Sequence, residues 1–258
     1  MDSIEKIRDK DDSIFRVVEE IMPAAYGLPE IERYKSTGTV MLSFFTRLGF
    51  LKTGILDVAE TGNIYSFNVL FRSFLEHVLK VNYIFMRWVV EQNDIPGQEY
   101  LSLKPLEDLE YFKAWKWIAD KSKDNMEKFP KELLKGLYPS LDKQKLKALE
   151  EIQAKFRYRQ LIQAINAMLG ESDINFLHKI VPNYSQLSSF MHGGPKADDF
   201  MQEYISEKNR EKYLIETSDL TVMMFYSSVR WLFLMLAGID NQYNSHLAKI
   251  HEEIKKYY

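Results

Sequence analysis

The sequence predicts an all-α fold, a single multi-helix bundle of 258 residues with a buried central helix and an antiparallel helical hairpin. Three observations predict it. Apolar residues recur at three- and four-residue spacing along most of the chain. No segment alternates apolar and polar residues as a half-buried strand does. The turns are marked by short Gly, Pro and Asn signals between long periodic runs.

Residues 2–22 predict a first helix with Ile4, Ile7, Ile14, Val17, Val18 and Ile21 inward, ended by Met22-Pro23 and the following Pro29. Its polar start makes residues 1–30 read as a loosely attached N-terminal helix. Residues 37–60 are helical again, apolar at Val40, Phe44, Leu48, Leu51, Ile55 and Val58, with Gly49 and Gly54 as points of close helix contact. Thr61-Gly62-Asn63 is too short a connection for anything but antiparallel neighbours.

The next stretch, NIYSFNVLFRSFLEHVLKVNYIFMRWVV (Asn63–Val90), is the central helix. Phe67, Leu70, Phe71, Phe74, Leu75, Val78, Val81, Phe85, Trp88 and Val89 cover more than half its circumference. Arg72, Ser73, Glu76, His77, Lys80 and Arg87 gather on the rest. So wide an apolar arc needs neighbours on several sides, and any charge on it is either paired or lines a cleft.

Asn93–Lys104 reads as a loop, and Pro105 as the first residue of an outer helix reaching about Lys128, with Leu109, Phe112, Trp115, Trp117 and Ile118 apolar. Pro130, Gly136 and Pro139 break the chain before one long helix from Ser140 to Gly170. A further helix runs from Ser172-Asp173 to about Lys179 and stops before Val181-Pro182, and another short one ends at His192 before Gly193-Gly194-Pro195. Residues 196–212 are polar and read as exposed. Leu220–Ile239 is a hydrophobic helix capped by Ser218 and Asp219, and residues 240–258 form a charged C-terminal helix or tail.

With 46% hydrophobic and 14% aromatic residues the chain has material for one large core. Lys and Arg total 34 against 37 for Asp and Glu. That net charge of -3 argues against coating nucleic acid or anionic membrane by overall field, while leaving room for a local basic patch. Without cysteine there can be no disulfide, thiolate nucleophile or Cys-ligated metal, and a reducing cytoplasm is the expected location. The first residues, MDSIEKIRDKDDSIFRVVEE, lack the apolar core of a signal peptide, so export by that route is not expected. Leu220–Ile239 has nearly the length of a membrane span, but Arg230 sits at its centre beside Ser227 and Ser228; a buried core helix and no membrane partner are expected.

Common catalytic motifs are missing. There is no Gly-x-Gly-x-x-Gly, and GFLKTG (Gly49–Gly54) lacks the Lys that a phosphate-binding loop needs next. No serine-hydrolase elbow, His-Glu-x-x-His or Glu-x-x-His pair occurs, so no metal or cofactor is expected. His246 and His251 read as exposed tail residues. The run Lys155-Phe156-Arg157-Tyr158-Arg159, with Lys143, Lys145 and Lys147 before it, has the cations and rings to follow a phosphate backbone and stack a base. The preferred reading is a solvated helix face, because Asp142, Glu150 and Glu151 dilute the charge.

One constellation carries chemistry. Arg72 and Glu76 stand four apart, the spacing at which a guanidinium and a carboxylate meet on one helix face. Tyr184, Ser188 and His192 form a second file at i, i+4 and i+8, held down by Leu187 and Phe190. If the two files face each other they make a polar seam inside an apolar bundle, which Arg230 can join with Glu76 as its acceptor.

The stretches IYSFNVLFRSFLEHVLKVNYIF and YSQLSSFMHGGP resemble the two signature stretches of a widespread bacterial family of helical proteins of uncharacterised function, Arg-x-x-x-Glu in one helix and Tyr-x-x-x-Ser followed by His-Gly in a later one. That family is similar to the HEPN superfamily of helical bundles, many of which are metal-independent ribonucleases, toxins or phage-defence components. HEPN ribonucleases resemble one another in an Arg-x(4-6)-His motif, which Arg72 and His77 match. His77 lies about 140° round the helix from Arg72, so His192 ranks ahead of it as the functional histidine. The resemblance also implies homodimers, although no heptad run specifies one.

Two functions from different classes follow. As an enzyme, the protein cleaves or binds RNA or another nucleic acid, with Arg72 steadying transition-state charge, His192 or His77 exchanging protons and Glu76 orienting Arg72. Tyr184, Ser188, Arg157 and Arg159 then hold substrate. As a binding or structural module, the same Arg, Glu, Tyr, Ser and His groups are a hydrogen-bonded network that fixes helix packing.

Overall fold

The computed structural model describes residues 3–111, 114, 136–169, 175–191, 195–204 and 206–258. Among the described residues there is no strand, and these α-helices follow in order: α1 (Ile4–Ala25), α2 (Lys35–Thr61), α3 (Ile64–Glu91), α4 (Ile95–Leu101), α5 (Lys143–Lys155), α6 (Tyr158–Leu169), α7 (Asn175–Met191), α8 (Pro195–Glu203), α9 (Glu207–Ile239) and α10 (Asn244–Lys255). The fold is an all-α bundle.

The α2–α3 hairpin turns at Gly62, which takes the left-handed conformation (φ 68°) open to glycine, and Asn63 caps α3 by accepting the Ser66 N–H at 3.1 Å. From there α3 runs through the middle of the molecule, packed against α2, α4, α6, α7 and α9. Phe67, Phe71, Phe74, Leu75, Val78, Leu79 and Ile84 are fully buried. Each such side chain contributes roughly 1.5–3 kcal/mol relative to an exposed one. Val89, expected on this arc, is instead exposed near the helix end.

Two buried asparagines of α3 reach α9. Asn68 accepts from the Tyr213 hydroxyl at 2.7 Å, and Asn82 accepts from the Trp231 indole N–H at 3.1 Å. Helices α3 and α9 therefore run parallel, joined by a polar contact at two separated levels.

Helix α1 is not the loosely attached element the sequence suggested. Ile7, Ile14, Val18 and Ala25 are buried, and Asp11, itself 8% exposed, ion-pairs with the buried Lys52 of α2. Tyr226 Oη of α9 lies 2.6 Å from Asp11 Oδ1. Burial pulls the Lys52 ammonium below its ordinary pKa, against the pull of Asp11. The helix also passes through Pro23 to Ala25 rather than stopping at Met22, since Met22 and Ala25 both find core contacts.

Other boundaries move for similar reasons. Residues 95–101, expected as loop, form α4, seated end-on against the start of α2. Asp94 accepts the backbone N–H groups of Thr37 (2.7 Å) and Ser36 (3.0 Å), which α2 leaves without helical partners. Gly97 packs so close that a Cβ would sit 2.2 Å from Thr37 N. Gly49 and Gly54, by contrast, have ordinary spacing to Phe225 and Leu70, so close approach falls at Gly97 and not where expected.

The expected helix from Ser140 to Gly170 breaks at Phe156-Arg157 into α5 and α6. Side chains two apart point about 200° apart on one helix. The break lets both Phe156 and Tyr158 turn inward, Phe156 against Tyr83 and Tyr100 and Tyr158 against Tyr184. Helix α7 continues through the exposed Pro182, so the expected stop before Val181-Pro182 and the separate short helix merge into one.

Residues 196–212, expected to be exposed, include α8, whose Ala197 and Phe200 bury with Ile64 and Phe190 in a satellite core. Helix α9 starts at Glu207, placing Ser218 and Asp219 in its interior instead of at a cap. The chain after residue 240 forms α10, with Ile250 and Ile254 buried. Among the described residues two stretches, Glu32–Thr61 and Glu207–Ile239, are long and apolar enough to cross a membrane, and in this fold the second packs against α1, α2, α3 and α10. The outer helix expected from Pro105 is helical over 104–111; Phe112, Trp115, Trp117 and Ile118 lie outside the described residues, as do Ser172 and Asp173.

Candidate functional site

Helical spacing places Arg72, Glu76, Lys80, Tyr83 and Arg87 in one stripe along α3, which meets α7 at Arg72 and α4 at Arg87. Arg72 donates through Nη2 to the Tyr184 hydroxyl of α7 at 3.1 Å. Its guanidinium carbon is 5.0 Å from the centre of the same ring. Tyr184 stacks on Tyr158 of α6, with ring centroids 3.8 Å apart and planes 13° from parallel. Tyr158 in turn donates to the Val181 carbonyl at 3.1 Å, so three helices meet at this stack.

The pair expected at the centre is loose. Arg72 Nη1 and Glu76 Oε2 are 3.7 Å apart, whereas Lys80 donates to Glu76 Oε1 at 2.8 Å. Lys80 is the carboxylate's principal partner, a residue that the i, i+4 spacing from Glu76 signalled and that the site reading passed over. Burial would raise the Glu76 pKa, but hydrogen bonding and charge from Lys80, then charge from Arg72, hold it below the ordinary carboxylate value. Burial, followed by the Glu76 charge, pushes the Tyr184 phenol up.

Arg72 and Glu76 are neither sealed nor free. Their side chains keep 25% and 33% of their exposure. Arg72 Nε is buried and has no hydrogen-bond partner among the described residues. The guanidinium thus sits at the rim of the bundle with donor capacity to spare.

His77 does not share this site. Its Nδ1 lies 2.7 Å from the Ser73 carbonyl oxygen, to which it donates, and its ring meets Phe44 of α2 edge-on at 5.7 Å. Arg72 faces α7 while His77 faces α2, as the angle between them round the helix requires. Burial, opposed by the Ser73 hydrogen bond, lowers the His77 pKa. Of the second file, Tyr184 is buried and Ser188 half-buried on α7, while His192 lies outside the described residues. The convergence of Arg72 with Tyr184 is therefore observed, and among the described residues no histidine joins them.

Arg157 and Arg159 are exposed on either side of Tyr158, whose ring turns inward. Farther along the α3 stripe, Arg87 grips Glu91 through two nitrogens, at 2.5 and 3.1 Å, and also pairs with Glu99; Lys155 Nζ adds a contact to Glu99 Oε1 at 2.5 Å. This second network was not foreseen, and only the Arg87/Glu91 spacing announced it. Arg230 does not pair with Glu76: it faces α10, with Nη1 3.5 Å from His251 Nδ1. Among the described residues no three His, Asp or Glu side chains gather closely enough to hold a metal ion.

Chemically, the described seam offers a guanidinium with spare donors, an ionised carboxylate and a phenol kept protonated. Such a guanidinium is chemically able to accept an anion; a group titrating near neutrality is not among the described members. Compared with protein-family models, curated proteins and solved structures, the chain finds no match in any of the three.

Proposed function

We propose that this protein binds RNA or a related phosphodiester along the α3–α6–α7 face, with Arg72 gripping a phosphate and Arg157 and Arg159 extending the contact. The observation that carries this reading is the Arg72 guanidinium, held by Tyr184, partly exposed, and with Nε unpartnered among the described residues. A buried donor without an acceptor is unfavourable by about 1–3 kcal/mol, and the exposed part of the same guanidinium is the part that a phosphate oxygen can reach. The resemblance to HEPN-like proteins points to the same ligand. Metal-independent cleavage belongs to this reading as an extension in which His192 supplies the proton transfer.

Binding of a labelled single-stranded RNA, followed by fluorescence anisotropy at several salt concentrations, tests the proposal. Arg72→Ala weakens binding without lowering the melting temperature by more than a few degrees. Cleavage, read on the same RNA in the presence of a chelator, disappears with His192→Ala while binding persists. No RNA binding by the wild-type chain sinks the reading.

A second reading is favoured by the Arg72–Tyr184 bond itself, which ties α3 to α7. In that case the seam is architecture, and Arg72→Ala lowers stability with no ligand involved.

A further inference from the structure

Away from the seam, α9 and α10 leave a groove of about 380 Å³ lined by Arg230, Leu234, Asn244, Leu247, Ala248 and His251. Its size lies at the lower end of small-molecule sites. Its accessible surface is almost wholly apolar, formed by residues such as Leu234, Leu247 and Ala248, and Arg230 and His251 complete its lining. Arg230 has no carboxylate within ion-pair reach among the described residues; it contacts the His251 imidazole, whose Nδ1 can accept from Nη1 at 3.5 Å. Arg230 Nε is buried without a hydrogen-bond partner among the described residues, and the guanidinium carbon lies 5.4 Å from the Trp231 ring.

An arginine at the centre of an apolar helix ordinarily finds a carboxylate for the donors that lose water; Arg230 is partly buried, with Nε sealed from solvent and its contact to His251 exposed. Here the protein supplies a second base in place of an acid. We infer that the groove binds a small anionic amphiphile, a carboxylate on an aliphatic body. The carboxylate bridges Arg230 and His251 while the chain lies along Leu234, Leu247 and Ala248. Charge complementarity selects the head group, the apolar floor selects the tail, and the groove's volume favours a small molecule over a long partner helix. This site is independent of RNA binding at the seam.

The test is calorimetric titration of the full chain with decanoate below its micelle concentration. Acetate serves as the head-group control and decyltrimethylammonium as the tail with reversed charge. Decanoate binds saturably at one site and acetate does not bind measurably. Arg230→Gln weakens decanoate by about tenfold or more, the loss of one charge-assisted contact. Ala248→Trp, which fills the groove, removes binding with the helical circular dichroism retained; if that variant fails to fold, His251→Gln, at an exposed position, weakens binding in its place. Equal binding of decanoate and decyltrimethylammonium, an Arg230→Gln affinity equal to wild type, or no saturable decanoate binding overturns the inference.

Discussion

Tyr158 and Tyr184 stack almost face to face, 3.8 Å between ring centres, on two helices that both lean on α3. Neither ring belongs to an element whose position the sequence spelled out. Together they hold the hydroxyl that receives Arg72.

Removing one ring should loosen the seam as well as the core. Tyr158→Leu and Tyr184→Leu are each expected to destabilise the protein. The coupling between them in a double-mutant cycle should be about 0.5–1.5 kcal/mol, the usual value of an aromatic pair beyond its buried area. Urea unfolding of the two single variants and the double variant measures it; additive effects would show that the stack is incidental.

The Asp11–Lys52 pair is a sharper case because both groups are buried. Lys52→Met leaves Asp11 and the Tyr226 hydroxyl around an uncompensated carboxylate, with an expected loss of about 3–5 kcal/mol. Adding Asp11→Leu should recover a large part of it. A double variant no more stable than Lys52→Met alone would contradict the assignment of the loss to the orphaned charge.

His77 predicts an acid-side weakness. Its folded pKa lies below the ordinary 6.5, with burial the main cause. Between the folded and unfolded values the unfolded chain holds the extra proton. The contribution is therefore fully present above 6.5 and is lost as the pH falls through the folded value. Denaturation midpoints collected from about pH 7.5 down to about pH 5 should decline for the wild type and decline less for His77→Gln. Identical slopes would remove His77 as a cause.

Two glycines, Gly97 of α4 and Gly49 of α2, should respond in opposite directions. Gly97→Ala forces a methyl into the Thr37 backbone, and overpacking of this kind destabilises by about 1–3 kcal/mol or more. Gly49→Ala meets only Phe225 at 3.7 Å inside a helix, where alanine is favoured by up to about 1 kcal/mol. Thermal melts of both variants decide the matter.

For the seam, Arg157→Ala and Arg159→Ala should each reduce the salt dependence of RNA binding by about one unit of slope, as expected for a phosphate contact. An unchanged slope in both would confine the contact to Arg72.

The all-α class, the α2–α3 hairpin and the buried arc of α3 were legible because each is written in short-range periodicity. Gly62 and Asn63 are local turn and cap signals, and the Phe67–Trp88 pattern repeats often enough to fix a face. The misplacements all involve partners distant in sequence. Nothing near Pro182 says that α7 will carry on through it, and nothing near Phe156 says that Tyr83 and Tyr100 will draw its ring inward. Asp94 looks like loop until the bare N–H groups of Ser36 and Thr37 are known to need it. At the candidate site, Arg72 and Tyr184 were each visible on their own helix, and the structure brings them together. Lys80 was overlooked because Glu76 was matched to the stronger-looking cation, while Tyr158, a ring between two arginines, pointed to base stacking and not to a stack on Tyr184.

The two asparagine contacts from α3 to α9, at Asn68–Tyr213 and Asn82–Trp231, act like pins through a pair of rods. Sliding either rod by one turn would strand a polar group at both levels at once. The central pair should therefore respond to force or ligand as one stiff beam, with compliance left to the helices around it.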